Sequence, residues 1–144
     1  MDIKNLTIEK AGEMMKKGEL TSVELVSACL KNIEEKNKEL NVFLEVFGDT
    51  LEQAKKADEI IKNGKATKLT GIPIALKDNI LIMGHKVSSG SKILQNYTAS
   101  YDAFVIKKLK NAGAVLMGRT NMDEFAMGSS TENSAYGPVK NPID

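Results

Sequence analysis

Several residue types are scarce or absent in the sequence, and each scarcity excludes a kind of cross-link or functional site. Its 144 residues include one cysteine, one histidine and no tryptophan. A single cysteine excludes an internal disulfide and is typical of a reducing compartment. We interpret Cys29 as a core residue, because it lies among apolar residues at helical spacing. A single histidine, His85 in a predicted turn, excludes a histidine cluster for a metal ion and leaves no spare histidine for a catalytic triad.

Charge and apolar runs exclude further classes of protein. Twenty basic residues stand against 19 acidic ones, the formal net charge is +1, and Arg119 is the only arginine. Basic residues spread in this way give no electrostatic support for direct nucleic-acid binding, and no glycine-rich nucleotide motif is present. No apolar run is long enough to span a bilayer, and the first ten residues lack the apolar stretch of a secretion signal. We therefore expect a cytoplasmic protein without membrane contact.

The first half of the chain has the periodicity of helices. TSVE at residues 21–24 is a capping-box pattern that opens a helix running to about Leu40. Residues 42–47 are rich in β-forming side chains and predict a strand or an extended connector. DTLE at residues 49–52 is a second capping-box pattern, and the helix that follows it ends at Gly64.

From Leu69 the pattern becomes that of strands joined by a helix. Continuous apolar runs at residues 72–76 and 114–118 predict strands covered on both faces, and residues 80–83 predict a further short strand. A helix is predicted from Ser100 onward. Strand, crossover helix and strand form a βαβ-like unit, which indicates a parallel or mixed sheet.

These elements predict an α/β fold. Residues 1–68 form an N-terminal helical segment, and residues 69–144 form the beginning of a mixed β-sheet with covering helices. So few strands leave the edges of a sheet open. We therefore expect the 144 residues to be the front part of a larger α/β domain.

One lysine is conspicuous by its position. In TGIPIALKDNI, residues 70–80, an apolar strand ends in Lys77, followed directly by Asp78. Open α/β sheets place their functional sites at the carboxyl ends of strands. Burial there favours the neutral amine, which can act as a general base. The alternatives are a surface lysine at a strand end and an ion pair between Lys77 and Asp78.

A second candidate site lies at residues 124–137, EFAMGSSTENSAYG. After a predicted short helix at residues 121–127, the sequence GSST at residues 128–131 predicts irregular backbone. Amide groups in such backbone can bind a carboxylate or a developing oxyanion. The alternative is a hydroxyl-rich surface loop. SSGS at residues 88–91 is a weaker candidate for an anion site.

Both candidates resemble parts of a known family. GIPIALKDNI (71–80), GSKIL (90–94) and AGAVLMGRTNMDEFAMGSSTENSAYGPVKNP (112–142) resemble the amidase signature family. Within it they look closest to the A subunits of the aspartyl/glutamyl-tRNA amidotransferases. The resemblance covers nearly the whole chain and implies the first part of the amidase signature fold.

The resemblance also implies a catalytic set of two serines, one with a cis peptide bond, and a lysine. By position in ALKDN the lysine is Lys77, while Met127, Gly128, Ser129 and Ser130 correspond to a segment that lines the substrate pocket. In the implied mechanism neutral Lys77 draws a proton, through the second serine, from the nucleophilic serine. That serine attacks the carboxamide of glutamine and releases ammonia.

The family's two serines belong to glycine- and serine-rich motifs that follow the turn at residues 141–144. None of the serines in the present sequence belongs to such a motif. The resemblance therefore implies that this chain holds Lys77 without its serine partners and is inactive by itself.

Partners follow from the same resemblance. It implies a B subunit that binds tRNA and ATP and a small C subunit, with glutamine as the substrate and tRNA reached through the partner. The complex amidates Glu-tRNA(Gln) or Asp-tRNA(Asn). ATP and Mg²⁺ are implied at the partner's site, and no cofactor or metal is implied for this chain. The alternatives are a fragment of another amidase-signature hydrolase and a non-catalytic module that docks through its amphipathic helices.

Overall fold

A computed structural model of the chain describes residues 3–143. Within that range the chain forms four α-helices, three strands and one short 3₁₀ helix. In chain order these are α1 (Ile8–Lys17), α2 (Ser22–Leu40), β1 (Phe43–Val46), α3 (Thr50–Lys62), β2 (Pro73–Lys77), α4 (Phe104–Asn111), β3 (Val115–Thr120) and the 3₁₀ helix Glu124–Ala126.

Helix α2 begins at the predicted capping box. The backbone N–H of Glu24 donates to Thr21 Oγ at 3.1 Å, and Glu24 Oε2 accepts from the backbone N–H of Thr21 at 2.8 Å. Two N–H groups at the start of the helix are thus satisfied. The hydrogen bonds from the side chain and the backbone of Thr21 also lower the pKa of Glu24. The capping box predicted at residues 21–24 is therefore confirmed.

The second predicted capping box, at the start of α3, is wrong. The backbone of Asp49 has φ −96° and ψ 5° rather than the extended conformation of a capping residue, and its side chain makes no capping hydrogen bond. Its Oδ1 instead accepts from Gln53 Nε2 at 3.0 Å. Gln53 in turn accepts the backbone N–H of Leu116 at 2.9 Å, which links α3 to β3.

The three strands form a mixed sheet in the order β1-β3-β2. Strand β3 is antiparallel to β1 and parallel to β2. Helix α4 lies in the connection between the two parallel strands, so the predicted βαβ unit is confirmed. Strand β1 comes from residues 1–68 and the other two strands from residues 69–144, so both segments contribute to one sheet. The description of these two segments as parts of one incomplete domain stays a prediction.

The strand predicted at residues 80–83 is not formed. The backbone N–H of Ile80 donates to Lys77 O at 3.0 Å, which turns the chain away from β2. Ile82 is nevertheless buried. The apolar run therefore reflects burial of a non-repetitive segment, which hydrophobicity alone does not distinguish from a short strand.

The two faces of β3 belong to two different parts of the core. Side chains alternate between the faces of a strand. On one face Val115 and Met117 pack in a cluster that includes Val26, Ala54 and Ala57 of α2 and α3. On the other face Leu116 packs in a cluster that includes Phe47, Leu76, Ile82 and Ile106. The central strand is therefore covered on both sides, as the sequence predicts.

Pro73 in the sequence favours the start of a strand or an edge strand, and among residues 3–143 β2 is an edge strand that begins at Pro73. At this first position the missing N–H does not interrupt a ladder. The predicted cover of β2 on both faces is only partly met. Leu76 is buried, but Ala75 and Lys77 on the opposite face are exposed. Within residues 3–143 the second face of β2 is thus left uncovered at its carboxyl end.

The single cysteine behaves as a packing residue. Cys29 is partly buried against the cluster between the helices and β3. Burial raises the pKa of its thiol, which disfavours the reactive thiolate. In the part of the chain that the structure describes, no helix is long and apolar enough to cross a membrane.

Candidate active site

Lys77 lies at the carboxyl edge of the sheet. It is the last residue of β2 and stands opposite Thr120, the last residue of β3, in the parallel register. Segments that follow these two strands therefore begin side by side, which is the arrangement expected for a site in an α/β sheet. The side chain of Lys77 is exposed. The burial predicted for it is thus not supplied by residues 3–143, because nothing among them covers this face of β2 at its carboxyl end.

The next residue, Asp78, is one of the most buried polar residues of the structure, at 1% exposure. Its Oδ1 accepts from Arg119 Nη1 at 2.7 Å and from the backbone N–H of Ser88 at 3.2 Å. Its Oδ2 accepts from the backbone N–H of Gly90 at 3.0 Å and from the Ser88 hydroxyl. Four donors offset the cost of removing this charge from water. Among residues 3–143 the ion pair of Asp78 is made by Arg119 and not by Lys77, whose side chain is exposed.

Arg119 connects the three strands through its guanidinium group. It lies on β3, donates from Nη1 to Asp78 after β2, and donates from Nε to Glu45 Oε2 of β1 at 2.8 Å. Burial lowers the pKa of Arg119, but the hydrogen bonds and charges of the two carboxylates outweigh it and raise the pKa above its usual value. The only arginine of the chain is therefore a fixed structural cation.

The loop SSGS at residues 88–91 does not form an open anion site. The amides of Ser88 and Gly90 donate to the Asp78 carboxylate, and the amide of Ser89 donates to the Asp78 carbonyl at 3.1 Å. The amide of Ser91 closes a turn onto Ser88 O at 2.9 Å. The loop thus binds an anion, as its sequence suggests, but that anion is the Asp78 carboxylate of this chain.

The second candidate segment is organised by Asp123. Its Oδ1 accepts from the backbone N–H of Asn133 at 3.0 Å, and its Oδ2 accepts from that of Thr131 at 2.8 Å. These hydrogen bonds lower the pKa of the Asp123 carboxyl group. Gly128 packs so closely that a Cβ there would overlap the carboxyl group. The loop is therefore wrapped around one buried aspartate.

The backbone that carries the predicted pocket residues is irregular, as expected, but the predicted helix at 121–127 is reduced to one 3₁₀ turn. Phe125 and Ala126 have φ values of 52° and 62°, which are incompatible with a continuing α-helix. The four residues that follow, Met127, Gly128, Ser129 and Ser130, are all exposed. Their role in substrate binding stays a prediction.

The structure brings the two candidate loops together. Phe125 N–H donates to Ser89 O at 2.8 Å, and Ala135 N–H donates to Gly90 O at 2.8 Å. The Ser91 hydroxyl donates to Glu124 Oε1 at 2.5 Å. The segment after β3 thus rests on the loop held by Asp78. Sequence reasoning missed this network, although a lone arginine in a lysine-rich chain was a signal for a specific ion pair.

The remaining titratable groups do not add a metal centre. Among residues 3–143, no group of three His, Cys, Asp or Glu side chains is placed to hold a metal ion. His85 lies in the predicted turn and is half-buried, with its ring centroid 3.9 Å from that of Phe47. Its contact is therefore to the core rather than to the sheet edge at Lys77.

Comparison with known proteins decides the family. The family model described as Amidase matches residues 24–144. The chain belongs to the amidase family. The predicted α/β fold and the predicted resemblance are both confirmed.

Among curated proteins, this amidase chain is similar to the N-terminal part of glutamyl-tRNA(Gln) amidotransferase A subunits. It is 45% identical over 145 residues to that of Thermoanaerobacter pseudethanolicus, covering 100% of the chain and 30% of the relative. It is 50% identical over 137 residues to that of Nitrosococcus oceani, covering 94% of the chain and 28% of the relative. The amidase chain thus spans less than a third of the length of these relatives.

Solved structures also support membership of the amidase family. The A subunit of Thermotoga maritima glutamyl-tRNA(Gln) amidotransferase is 37% identical with a TM-score of 0.75, covering 100% of the amidase chain and 29% of that chain. The peptide amidase of Stenotrophomonas maltophilia is 31% identical with a TM-score of 0.86, covering 95% and 30%. The helices and the small mixed sheet therefore match the corresponding part of larger amidases.

Proposed function

We propose that residues 1–144 are the N-terminal part of the glutaminase subunit of a tRNA-dependent amidotransferase. Such a subunit releases ammonia from glutamine for the conversion of Glu-tRNA(Gln) or Asp-tRNA(Asn) to Gln-tRNA(Gln) or Asn-tRNA(Asn). The observation that carries the proposal is 45% to 50% identity, over nearly the whole chain, to proteins named as that subunit. Identity to the peptide amidase is only 31%, which gives less support to a hydrolase of other amides.

In the proposed reaction Lys77 is the base. A serine hydroxyl attacks the carboxamide carbon of glutamine while its proton passes through a second serine to the neutral amine of Lys77. The carbon–nitrogen bond then breaks, and ammonia leaves with a proton returned to its nitrogen. Water afterwards releases glutamate from the acyl-enzyme. Because residues 1–144 contain neither serine motif, we propose that they hydrolyse no glutamine alone.

The proposal requires that the exposed face of β2 be covered in the whole enzyme. Ala75 and Lys77 lie on the same uncovered face of the edge strand. A lysine in water is protonated at neutral pH and cannot act as a base. The part of the enzyme that carries the serines is therefore proposed to pack on this face and to exclude water from Lys77.

The loop that follows β3 is proposed to bind the substrate. Met127, Gly128, Ser129 and Ser130 are exposed, and they lie on the segment that contacts the loop next to Lys77. Asp123 holds the loop in place by accepting hydrogen bonds from the backbone amides of Thr131 and Asn133. A substrate carboxamide bound over this loop would lie near the carboxyl edge of the sheet.

The proposed complex contains two further subunits. We propose a B subunit that binds tRNA and ATP, with Mg²⁺ at its own site, and a small C subunit. Residues 1–144 contain no phosphate-binding glycine motif, and the family resemblance implies that ATP binds to the partner. Contact with tRNA is accordingly proposed to occur through the partner that binds ATP.

A hybrid enzyme tests the proposal. Residues 1–144 replace the corresponding part of the Thermotoga maritima A subunit, and ammonia release from glutamine is measured in the presence of that organism's B and C subunits. We expect the hybrid to hydrolyse glutamine and Lys77→Ala to lower the rate by at least about 10²–10⁴-fold, the contribution of a positioned acid or base. Lys107→Ala, at an exposed lysine of α4, is the matched control and should retain full activity. Full activity of Lys77→Ala, with the hybrid folded, would refute the assignment.

A further inference from the structure

The buried carboxylate of Asp78 makes several hydrogen bonds in addition to its ion pair with Arg119. Besides Arg119, it accepts the amides of Ser88 and Gly90 and the hydroxyl of Ser88. The Asp78 carbonyl also accepts the amide of Ser89. Three consecutive residues of one loop are thus fixed to a single residue, and that residue follows Lys77 directly in the chain.

The same loop carries the segment that contains the candidate pocket. Ser89 O accepts the amide of Phe125, and Gly90 O accepts the amide of Ala135, both at 2.8 Å. These two hydrogen bonds flank residues 127–130 on either side. The loop also packs closely on the chain just before this segment, because Gly90 has φ +66° and a Cβ there would overlap the carbonyl oxygen of Met122.

We propose that Asp78 is a positioning residue, which sets residues 127–130 in place relative to Lys77 through the loop 88–90. The relevance of this positioning to catalysis rests on the proposed function, whereas the mechanical link rests on the hydrogen bonds alone. Lys77 is joined to Asp78 by a peptide bond, so displacement of the Asp78 side chain changes the distance between the loop and the lysine.

The chemistry of the site requires a carboxylate at residue 78. All the groups that contact its oxygens are donors: two amides, one hydroxyl and one guanidinium. An ionised carboxylate accepts at both oxygens, whereas asparagine has one acceptor oxygen and a donor NH₂ group. Asp78→Asn keeps the size of the side chain but places donors against donors. The substitution therefore tests the hydrogen bonds with little change in volume.

Amide hydrogen exchange in the 144-residue chain tests the mechanical link. In Asp78→Asn we expect the amides of Phe125 and Ala135 to exchange at least about tenfold faster, although neither contacts residue 78. Asp58→Asn is the matched control, because Asp58 also accepts two backbone amides, those of Ser22 and Val23, at 2.6 and 3.1 Å. It should speed exchange at the start of α2 and leave Phe125 and Ala135 unchanged.

The opposite result would overturn the inference. If exchange in Asp78→Asn rises at Ser88 and Gly90 but stays unchanged at Phe125 and Ala135, then the loop does not transmit its position. Should Asp78→Asn fail to fold, Ser88→Ala removes one donor and retains the amide. It should speed exchange at the same two remote amides by a smaller factor, and no change there would count equally against the inference.

Kinetics of the hybrid enzyme test the consequence for catalysis. With the rate expressed per folded molecule, we expect Asp78→Asn to lower kcat for glutamine at least about tenfold, since a misplacement of about 1 Å costs on the order of 10²-fold. A lower melting temperature with unchanged kcat would show a purely structural role and overturn the inference. If the unsubstituted hybrid hydrolyses no glutamine, the proposed function fails, and the exchange measurement decides the positioning role separately.

Discussion

Asp78 and Arg119 form an ion pair of 2.7 Å in which the carboxylate is buried and the guanidinium is shared with Glu45. The pair joins the end of β2 to the end of β3 at the sheet edge that carries Lys77. A buried ion pair contributes little net stability over a well-packed apolar pair, but the loss of one partner leaves an uncompensated charge. We therefore expect the pair to hold the ends of β2 and β3 in one geometry rather than to add net stability.

Removal of the guanidinium should be costly. We expect Arg119→Met to destabilise the chain by about 3–5 kcal/mol, because the Asp78 carboxylate stays buried without its charged partner. Urea unfolding followed by circular dichroism measures the loss. Lys110→Met breaks the more exposed ion pair with Asp102, and its expected cost is about 0–1 kcal/mol. Similar losses for the two variants would contradict the special role of Arg119.

A side chain at Gly128 should destabilise the loop. A Cβ at this position would overlap the Asp123 carboxyl group, so Gly128→Ala requires the loop to move. We expect a loss of about 1–3 kcal/mol, typical of overpacking, together with shifted NMR resonances of the Thr131 and Asn133 amides. Gly48→Ala is the control, because no atom lies within 4 Å of the point that its Cβ would occupy. Unshifted Thr131 and Asn133 resonances in Gly128→Ala would show that the loop does not wrap Asp123 this tightly.

Asp123 should make stability depend on acid pH. Hydrogen bonds from Asn133 and Thr131 hold its pKa below the ordinary value. A carboxyl group whose folded pKa is depressed stabilises the fold above its unfolded pKa of about 3.9, and this contribution is lost as the pH falls through the folded pKa. Asp123→Asn should therefore flatten the fall in stability below about pH 4. Denaturant titrations from about pH 2.5 to about pH 7 measure it, and an unchanged slope would exclude Asp123 as its source.

Local signals in the sequence predict elements whose determinants are local. The capping box at Thr21 and Glu24 is such a signal, and so is the apolar run of β3, which is buried on both faces. The capping box predicted at Asp49 is wrong because the Asp49 side chain contacts Gln53, which is itself tied to β3 across the fold. Tertiary contacts of this kind are not visible in a four-residue pattern.

The sequence predicts where the candidate site lies, but not the hydrogen bonds that hold it in place. The apolar run ending in Lys77 correctly locates a strand end, since hydrophobicity and chain order determine it. The hydrogen bonds from Ser88, Gly90 and Arg119 to Asp78 join residues that are 10, 12 and 41 positions away. The spacing of residues along the sequence does not show which distant residues come into contact in the fold. The burial predicted for Lys77 depends in the same way on what packs against β2.

The core of the α4 crossover offers a sharp packing test. Ile106 is fully buried, at 0% exposure, whereas its neighbour Val105 is 47% exposed. We expect Ile106→Ala to cost about 2–5 kcal/mol through lost burial and the cavity that remains. Val105→Ala on the same helix should change stability by less than about 0.5 kcal/mol. Thermal unfolding of both variants distinguishes them, and equal costs would contradict the orientation of α4.

The exposure of Lys77 leads to a last prediction, which compares two contexts of the same residue. In the 144-residue chain Lys77 is exposed, so a bulky succinimidyl ester should label it about as fast as the exposed Lys107. In the hybrid enzyme the proposed packing on the uncovered face of β2 should shield Lys77 and slow its labelling at least about tenfold relative to Lys107. Mass spectrometry of the digested protein measures both rates. Equal labelling of Lys77 in the two proteins would mean that the rest of the enzyme does not cover it, which would contradict the proposed packing on this face of β2 and the exclusion of water from the base.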